Sequence, residues 1–493
     1  MPDFGFVGAA YEAPSIYQDA QECINFRPEI DMTKQPGERG IVALYPTPGL
    51  KVEVELPVSA PVRGMRALSG GQYLLAVCGT NVYRITTGFS ATQVGTLASN
   101  TGPVSITDLI ATSGGLTAYI ADGANRYTWV AATNTFTTLP GSDGPWRGAD
   151  VVDNVDNYVI YNEPGTRNWA ATDLSSALST EAYFGTKDGA PDSLVSLIVD
   201  RRQVYLLGEL TTEIWTDTGN VLSGVISFPF SRVQGASMQA GTNAPFSVAR
   251  LGDGFALVAQ DNRGNATIEM VEGYAFKRFS THAVEYSLEG QVVSDAIAYS
   301  YQIQGHEIYV VTFPSVGPHG LTWAYDMATQ QWHKWLSWDA TNAVFKRHRS
   351  NCHALFANLN LVGDYENGKI YSLQNEVYTE DGATIRRLRR APHLTSDLQR
   401  QYFDELQIQF QPGVGLSTGQ GSDPQAMLRW SNDGGSTWSS EHWTSIGAQG
   451  QYRNRAIWRR LGTARDRIFE VAITDPVKAV IVSANLKASV GDN

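Results

Sequence analysis

Charge is scarce in this chain of 493 residues: Asp, Glu, Lys and Arg make up 17 % of it, and 49 acids outnumber 37 bases. Without a Lys/Arg surplus the chain cannot neutralise a phosphate backbone along its length, which argues against general nucleic-acid affinity. Cysteine is rarer. Cys23, Cys78 and Cys352 are odd in number, far apart and in no paired spacing. Neither a disulfide framework nor a zinc site is supported, and the three read as buried free thiols. Long apolar runs are missing too, since nothing approaches the ~18 residues that a membrane-spanning helix needs. The first residues (MPDFGFVGAAYEAPSIY) show neither the basic leader nor the apolar stretch of a signal peptide, and none is expected.

Glycine (47 residues) and aromatic side chains (11 %) are plentiful. That balance suits a turn-rich all-β protein better than a helical bundle, so helix content should be low. Between about residue 60 and residue 380 one pattern recurs seven times: an apolar run, a Gly/Asn/Asp turn, then a strand with an aromatic or apolar anchor. The clearest copies are residues 73–85 (YLLAVCGTNVYRI), 117–129 (TAYIADGANRYTW), 204–216 (VYLLGELTTEIWT) and 361–373 (LVGDYENGKIYSL). The anchors Tyr83, Tyr127, Trp169, Trp215, Met270, Tyr325 and Tyr371 lie 42 to 55 residues apart, which brackets the length of a four-stranded propeller blade. A unit this small cannot bury its own faces. Blades stacked around an axis bury them and leave only short edges. The expected fold is therefore an all-β β-propeller of about seven blades, with six as the alternative.

A chain this long should hold more than one core. Residues 1–57 contain Pro14, Pro28, Pro36, Pro46, Pro48 and Pro57, too many for a regular element, and read as an extended N-terminal arm whose strands could close the ring of blades. The propeller is expected over 58–384, followed by a basic link, 385–401, that includes IRRLRRAPHLTSDLQR and is interrupted by Pro392. Alternating strands then restart at residues 405–411, 426–430, 441–446, 467–474 and 479–486, predicting a C-terminal antiparallel β-sandwich over 402–493. Charge divides along the same boundary: residues 1–380 hold 23 bases against 38 acids, and residues 381–493 hold 14 against 11.

Several stretches imitate catalytic or metal motifs. Residues 363–370 (GDYENGKI) approach a phosphate loop, but Ile370 stands where a Mg²⁺-binding hydroxyl is needed, and Asp364 and Glu366 would repel phosphate. This is expected to be a hairpin turn. Residues 415–419 (GLSTG) match a nucleophile elbow, yet Ser417 sits in a Gly/Ser loop with no helix to hold it. His348, Cys352 and His353 cluster in FKRHRSNCHA among Lys346, Arg347 and Arg349, whose charge disfavours a cation, so a solvated basic turn is expected. His282, His306 and His333 are isolated beside aromatic strand residues and read as packed or interface histidines. Residues 431–438 (SNDGGSTW) fit the Ser-x-Asp-x-Gly-x-Thr-Trp pattern of an Asp-box turn. In it Asp433 accepts from its own turn's backbone and Trp438 packs underneath. Residues 451–467 (QYRNRAIWRRLGTARDR) are dense in arginine, with Arg453, Arg455 and Arg459 on one face of a partial strand together with Ile457 and Leu461. Opposite the acidic propeller, these guanidinium forks suit intersubunit or interdomain ion pairs better than DNA. No catalytic, cofactor-binding or metal-binding residue is nominated.

Both ends of the chain resemble the packaged-DNA stabilisation family of short-tailed phages, also described as the tail hub or nozzle. The N-terminal likeness lies in residues 24–30 (INFRPEI), 45–50 (YPTPGL), and Arg63-Gly64 followed by residues 74–85. The C-terminal one lies in residues 429–438 and in residues 450–478 (GQYRNRAIWRRLGTARDRIFEVAITDPVK). In the middle only the cadence of the blades matches. The resemblance implies a non-enzymatic hexameric ring in the virion tail, assembled in the host bacterial cytoplasm below the portal and its adaptor. It would extend the DNA channel, retain packaged double-stranded DNA without reading its sequence, and dock a tail needle or plug and tailspikes or fibres, with no cofactor and no membrane insertion. An acidic, repetitive β scaffold suits such a mechanical role. Two other readings compete: a host-derived interaction propeller, and a glycan-active or glycan-binding propeller of sialidase type. The glycan reading would use Trp129, Trp215, Trp332, Trp335 and Trp338 as sugar platforms and requires two converging carboxylates.

Overall fold

The computed structural model describes residues 4–31, 33–34, 41–219, 228–260, 264–397 and 399–491. Among them the only helix is His282–Tyr286, capped by Thr281, whose side chain accepts from the Val284 amide; the rest of the regular structure is strand.

The repeated pattern is the second strand, the turn and the third strand of a blade. In blade 1 the apolar run becomes Tyr73–Cys78, buried on both faces, and the anchor strand becomes Asn81–Thr86. They pair antiparallel in register Leu74↔Ile85 and Ala76↔Tyr83. Second strands are nearly continuous in apolar residues because a neighbouring blade covers each face. Fourth strands such as Ala91–Thr96 lie at the rim and read as mixed. All seven anchors fall on third strands, and Tyr127, Trp169 and Tyr371 are no more than 1 % exposed.

Blades 1 to 5 are four-stranded antiparallel sheets, each built from one continuous stretch: 62–96, 105–138, 152–186, 194–232 and 249–278. Blade 6 runs through Ile297–Ile303, His306–Phe313, Leu321–Asp326 and Gln331–Lys334. Blade 7 has only three strands of its own: Ser350–Phe356, Leu359–Asp364 and Lys369–Gln374. Its fourth is Gly49–Glu55 from the N-terminal segment, paired antiparallel with Leu373↔Leu50 and Ile370↔Val54. Gly49 opens this closing strand because a Cβ there would lie 2.2 Å from the Val377 carbonyl oxygen, an approach only glycine permits. Ser350–Phe356 then lies against Val62–Ala67 of blade 1, with the Asn351 amide donating to the Val62 carbonyl at 2.9 Å. Seven blades thus form one closed ring.

The N-terminal segment also enters the sandwich. Ala20–Ile24 joins the outer strand of blade 6 in parallel (Ile24↔Lys334) and Arg387–Arg390 antiparallel (Cys23↔Arg389). The sheet continues through Asp466–Ile473, Gln425–Ser431 and His442–Ser445, so a single eleven-stranded sheet runs from blade 6 into the sandwich. The facing sheet comprises Phe26–Ile30, Val42–Pro46, Ile481–Val490, Gln401–Phe410 and Ala456–Arg459. Leu406, Ile408 and Leu486 on one sheet meet Leu428, Phe469 and Val471 on the other.

Residues 385–401, expected to be a link, therefore contain a central strand of a continuous sheet. Its arginines are held in different ways: Arg390 binds the Glu470 carboxylate at 2.9 Å, buried Arg387 reaches only the Tyr378 carbonyl at 3.5 Å, and Arg389 is satisfied by backbone carbonyls. The Arg389 guanidinium is fully buried and donates to the carbonyls of Phe6 (2.6 Å), Ala9 (2.8 Å), Glu22 (3.2 Å) and Gly5 (3.3 Å), and to Gln21 Oε1 (2.6 Å). Burying so many polar groups is affordable only when each finds a partner.

Candidate functional site

At six of the seven junctions the first strands of successive blades pack together, and between blades 4 and 5 the Arg250 guanidinium donates to the Val199 carbonyl at 2.7 Å, so these strands lie innermost. Charged side chains from five of them meet around the axis. Arg66 of blade 1 reaches Asp108 of blade 2 at 3.3 Å, and Asp108 also accepts from the Ser69 amide at 2.8 Å. In blade 3, Asp153 accepts from the Val199 amide at 2.8 Å, while Arg250 of blade 5 lies 3.7 Å from Asp153 and 3.6 Å from Asp200 of blade 4. Burial raises the pKa of Asp153, against the pull of the Val199 amide and of Arg250 and Arg66. Arg250 thus reaches from blade 5 to the next blade but one, so the inner wall is tightly drawn at this level.

The motifs noted in the sequence take structural positions. Residues 363–370 span the turn between the second and third strands of blade 7, where Asp364 accepts from the Glu366 amide (2.7 Å) and the Tyr371 hydroxyl (2.8 Å). Ser417 is exposed on a sandwich loop. His348, expected in a solvated turn, is instead fully buried: its ring stacks on Trp335 at 3.9 Å, Nδ1 meets Ser350 Oγ at 2.7 Å, and burial lowers its pKa to about 3. Cys352 and His353 lie on the first strand of blade 7, where His353 stacks on Tyr299 and meets Asn360 at 3.0 Å. His333 is buried and His306 sits between Glu29 (3.0 Å) and Asp326 (2.8 Å). Of the two expected placements, packed or at an interface, His282 is not packed: its side chain is 81 % exposed on the short helix. No group of three or more His, Cys, Asp or Glu side chains among the described residues could hold a metal ion.

The tryptophans considered as sugar platforms largely fill cores: Trp129, Trp332 and Trp335 are at most 2 % exposed. Carboxylates do converge on Arg349, which lies 3.2 Å from Asp364, 3.7 Å from Glu366 and 3.6 Å from Glu380. Asp364 and Glu380 are buried, however, and shared by that guanidinium. Burial raises the Glu380 pKa to about 7, with Ser337 and Arg349 opposing it. The arrangement is a seam between blade 7 and the sandwich-bound strand, where Arg387 also lies buried.

The Asp box is formed. The Thr437 amide donates to Asp433 at 2.8 Å, Ser431 Oγ donates to Asp433 at 2.7 Å, and Trp438 Nε1 donates to the Gly435 carbonyl at 3.0 Å. Trp438 lies over the guanidiniums of Arg429 (4.7 Å) and Arg390 (5.0 Å), which both bind Glu470. A Cβ on Gly434 would lie 3.0 Å from the Tyr17 ring, so the N-terminal segment covers the box.

The arginine-dense segment splits. Arg467 is buried among Phe403, Trp430 and Phe469, which no alternation pattern reveals. Arg459 pairs with Glu405 at 2.8 Å on the outward face of the sandwich, Leu461 is core, and Arg453 and Arg455 are exposed. These last two line a cleft of about 440 Å³ with Tyr452, Gln407, Gln409 and Asn485.

No curated protein sequence matches the chain. Among solved structures, the Neurospora crassa Pan2 WD40 domain aligns at 8 % identity and TM-score 0.39, over 64 % of this chain and 89 % of that one. A chain from the S. cerevisiae Dbp5, Nup159 and Gle1 assembly aligns at 12 % identity and TM-score 0.37, over 72 % and 99 %. Two family descriptions match consecutive parts of the sequence: "Bacteriophage P22 Gp10, beta-propeller" over residues 24–378 and "Bacteriophage P22 Gp10, beta-sandwich" over residues 386–489. The first begins at Ile24, within the strand that bridges blade 6 to the sandwich, and the second opens on the strand that continues that sheet. Together with the seven closed blades, these matches show that the chain belongs to the Bacteriophage P22 Gp10 family and is a structural protein of a phage tail.

Proposed function

We propose that copies of this chain form a hexameric ring below the portal adaptor, with duplex DNA passing between the copies and not through any one of them. The carrying observation is the narrow inner wall of the propeller, where Arg250 of blade 5 comes within 3.7 Å of Asp153 of blade 3. A duplex is too wide for a passage in which one arginine reaches the next blade but one, so a conduit has to be walled by several chains. The excess of acids over residues 1–380 supports this reading, because a wall of like charge lets DNA slide without adhering. So does the eleven-stranded sheet, which gives each copy a stiff connection between propeller and sandwich. In this role the ring retains packaged DNA, offers outer surfaces to a needle or plug and to tailspikes or fibres, and is assembled in the host cytoplasm.

The test compares particles assembled with and without the chain, by cryo-EM and by nuclease sensitivity of the genome. Complete particles should show a ring of this chain and protected DNA, and particles lacking it should package DNA and then lose it. Equal retention in both, or a chain present as isolated monomers on the tail, would overturn the proposal.

A further inference from the structure

We infer that the outward face of the sandwich docks onto blades 3 and 4 of a second copy of this chain. The inference rests on the ring proposed above and names the two surfaces that build it.

The first surface is the solvent side of the sheet containing Gln401–Phe410. Its cross-strand rows run Arg459, Glu405, Lys487 and Ile457, Gln407, Asn485. Arg459 is taken up by Glu405, whereas Arg453, Arg455 and Lys487 are exposed and have no ion-pair partner among the described residues. Tyr452, 73 % exposed, stands beside the two arginines. Arginine and tyrosine at the mouth of a polar cleft are the side chains that most often anchor protein interfaces.

The second surface is acidic. Residues 140–220 hold 13 Asp and Glu against 5 Lys and Arg; Asp143, Asp192 and Glu213 are buried and Asp153 and Asp200 face the inner wall, leaving eight acids toward the outside of blades 3 and 4 and their connections. Glu181 is exposed in the loop between the third and fourth strands of blade 3, which also carries Leu174 (56 %) and Leu178 (55 %), while Asp188 and Glu209 are exposed in the connection and turn at the other end of these blades, where Leu210 is 55 % exposed. Exposed apolar side chains rimmed by charge mark a contact surface.

Geometry forbids the two surfaces from meeting within one molecule. The sandwich is attached at the outer strand of blade 6, and in a ring of seven, blade 3 stands across the axis from the boundary of blades 6 and 7. A contact between different patches on two copies is head-to-tail, and repetition of such a contact generates a ring when the rotation closes.

The full-length chain tests this by sedimentation velocity at low and high salt, with three variants. One reverses the basic face (Arg453→Glu, Arg455→Glu, Lys487→Glu), one reverses the acidic sector (Glu181→Lys, Asp188→Lys, Glu209→Lys), and one carries both sets. The wild type should self-associate and weaken with salt. Each single set should weaken association at least about tenfold with unchanged thermal unfolding, and the combined set should recover to within about threefold. Wild-type rings that survive the first set, or a combined variant no better than either set alone, overturn the inference while leaving the ring intact. A wild type that stays monomeric at high concentration and low salt overturns both. Duplex-DNA binding by the wild type that the first set abolishes would reassign the face to nucleic acid and also overturn the inference.

Discussion

Blades 1 to 5 and blades 6 and 7 solve the same packing problem by different routes. Each of the first five is a sheet from one short stretch of chain, closed by its own hairpins, with its fourth strand at an open rim. The last two borrow. Blade 7 takes its outer strand from residues 49–55, and the outer strand of blade 6 is paired to residues 20–24. Asn25 ties the two regions again: its side chain donates to the Leu336 carbonyl at 2.7 Å and accepts from the Leu336 amide at 2.9 Å. A local blade can tolerate an injured edge, while an injury at the seam disconnects the ring and the sandwich together.

The largest expected contrast compares the fourth strands of blades 7 and 2. Leu50 is 1 % exposed among Tyr371, Val362 and Tyr301, so Leu50→Asp, which puts a carboxylate in that core, should cost more than about 4 kcal/mol. Thr137→Asp on the exposed outer strand of blade 2 should stay within about 0.5 kcal/mol. Denaturant unfolding of the two variants checks the difference; equal losses would erase the distinction between borrowed and local blades.

Next comes Arg389→Ala, which strands four carbonyls of the N-terminal segment and should cost about 3 kcal/mol. Limited proteolysis should release residues before Ala20 at lower protease than in the wild type. A smaller effect sits in the same seam and depends on pH. The native pKa of Glu380, about 7, lies above its unfolded value near 4.5. The stability tied to its proton is therefore complete below about pH 4.5 and lost as pH rises through 7. Glu380→Gln should unfold later than the wild type at pH 8, by about 2 kcal/mol, and indistinguishably at pH 4. Melting curves at the two pH values decide it. Smallest of all is Arg202→Ala, which removes the exposed pair with Asp156 between the turns of blades 4 and 3. No measurable shift in melting temperature is expected.

The same contrast explains what could be read from the sequence. A blade's second and third strands are adjacent in the chain and buried on both faces, so residues 73–85 or 361–373 announce themselves, and all seven anchors landed on third strands. The turn chemistry of the Asp box is equally local. What stayed hidden depends on partners hundreds of residues away. Residues 385–401 look like a basic link because nothing nearby shows that the carbonyls of Gly5, Phe6 and Ala9 will receive Arg389. His348 looks solvated beside Lys346, Arg347 and Arg349 until Trp335 covers its ring. Arg467 reads as one more surface charge, although three aromatic rings from separate strands surround it. The charge of the propeller and of the sandwich was visible only as a difference between residues 1–380 and residues 381–493.

The closing strand sets an order of events during synthesis. Residues 49–55 leave the ribosome early with an apolar face that has no partner until residues 369–374 follow, and residues 20–24 wait longer still for Arg387–Arg390. Five blades can form in the meantime, since each is complete within itself. A chain interrupted after them would keep an unpaired strand and an open ring, unable to offer both surfaces that a neighbour requires. Closure of the ring therefore waits for residues 369–374, and the sheet that ties propeller to sandwich for Arg387–Arg390 and Asp466–Ile473.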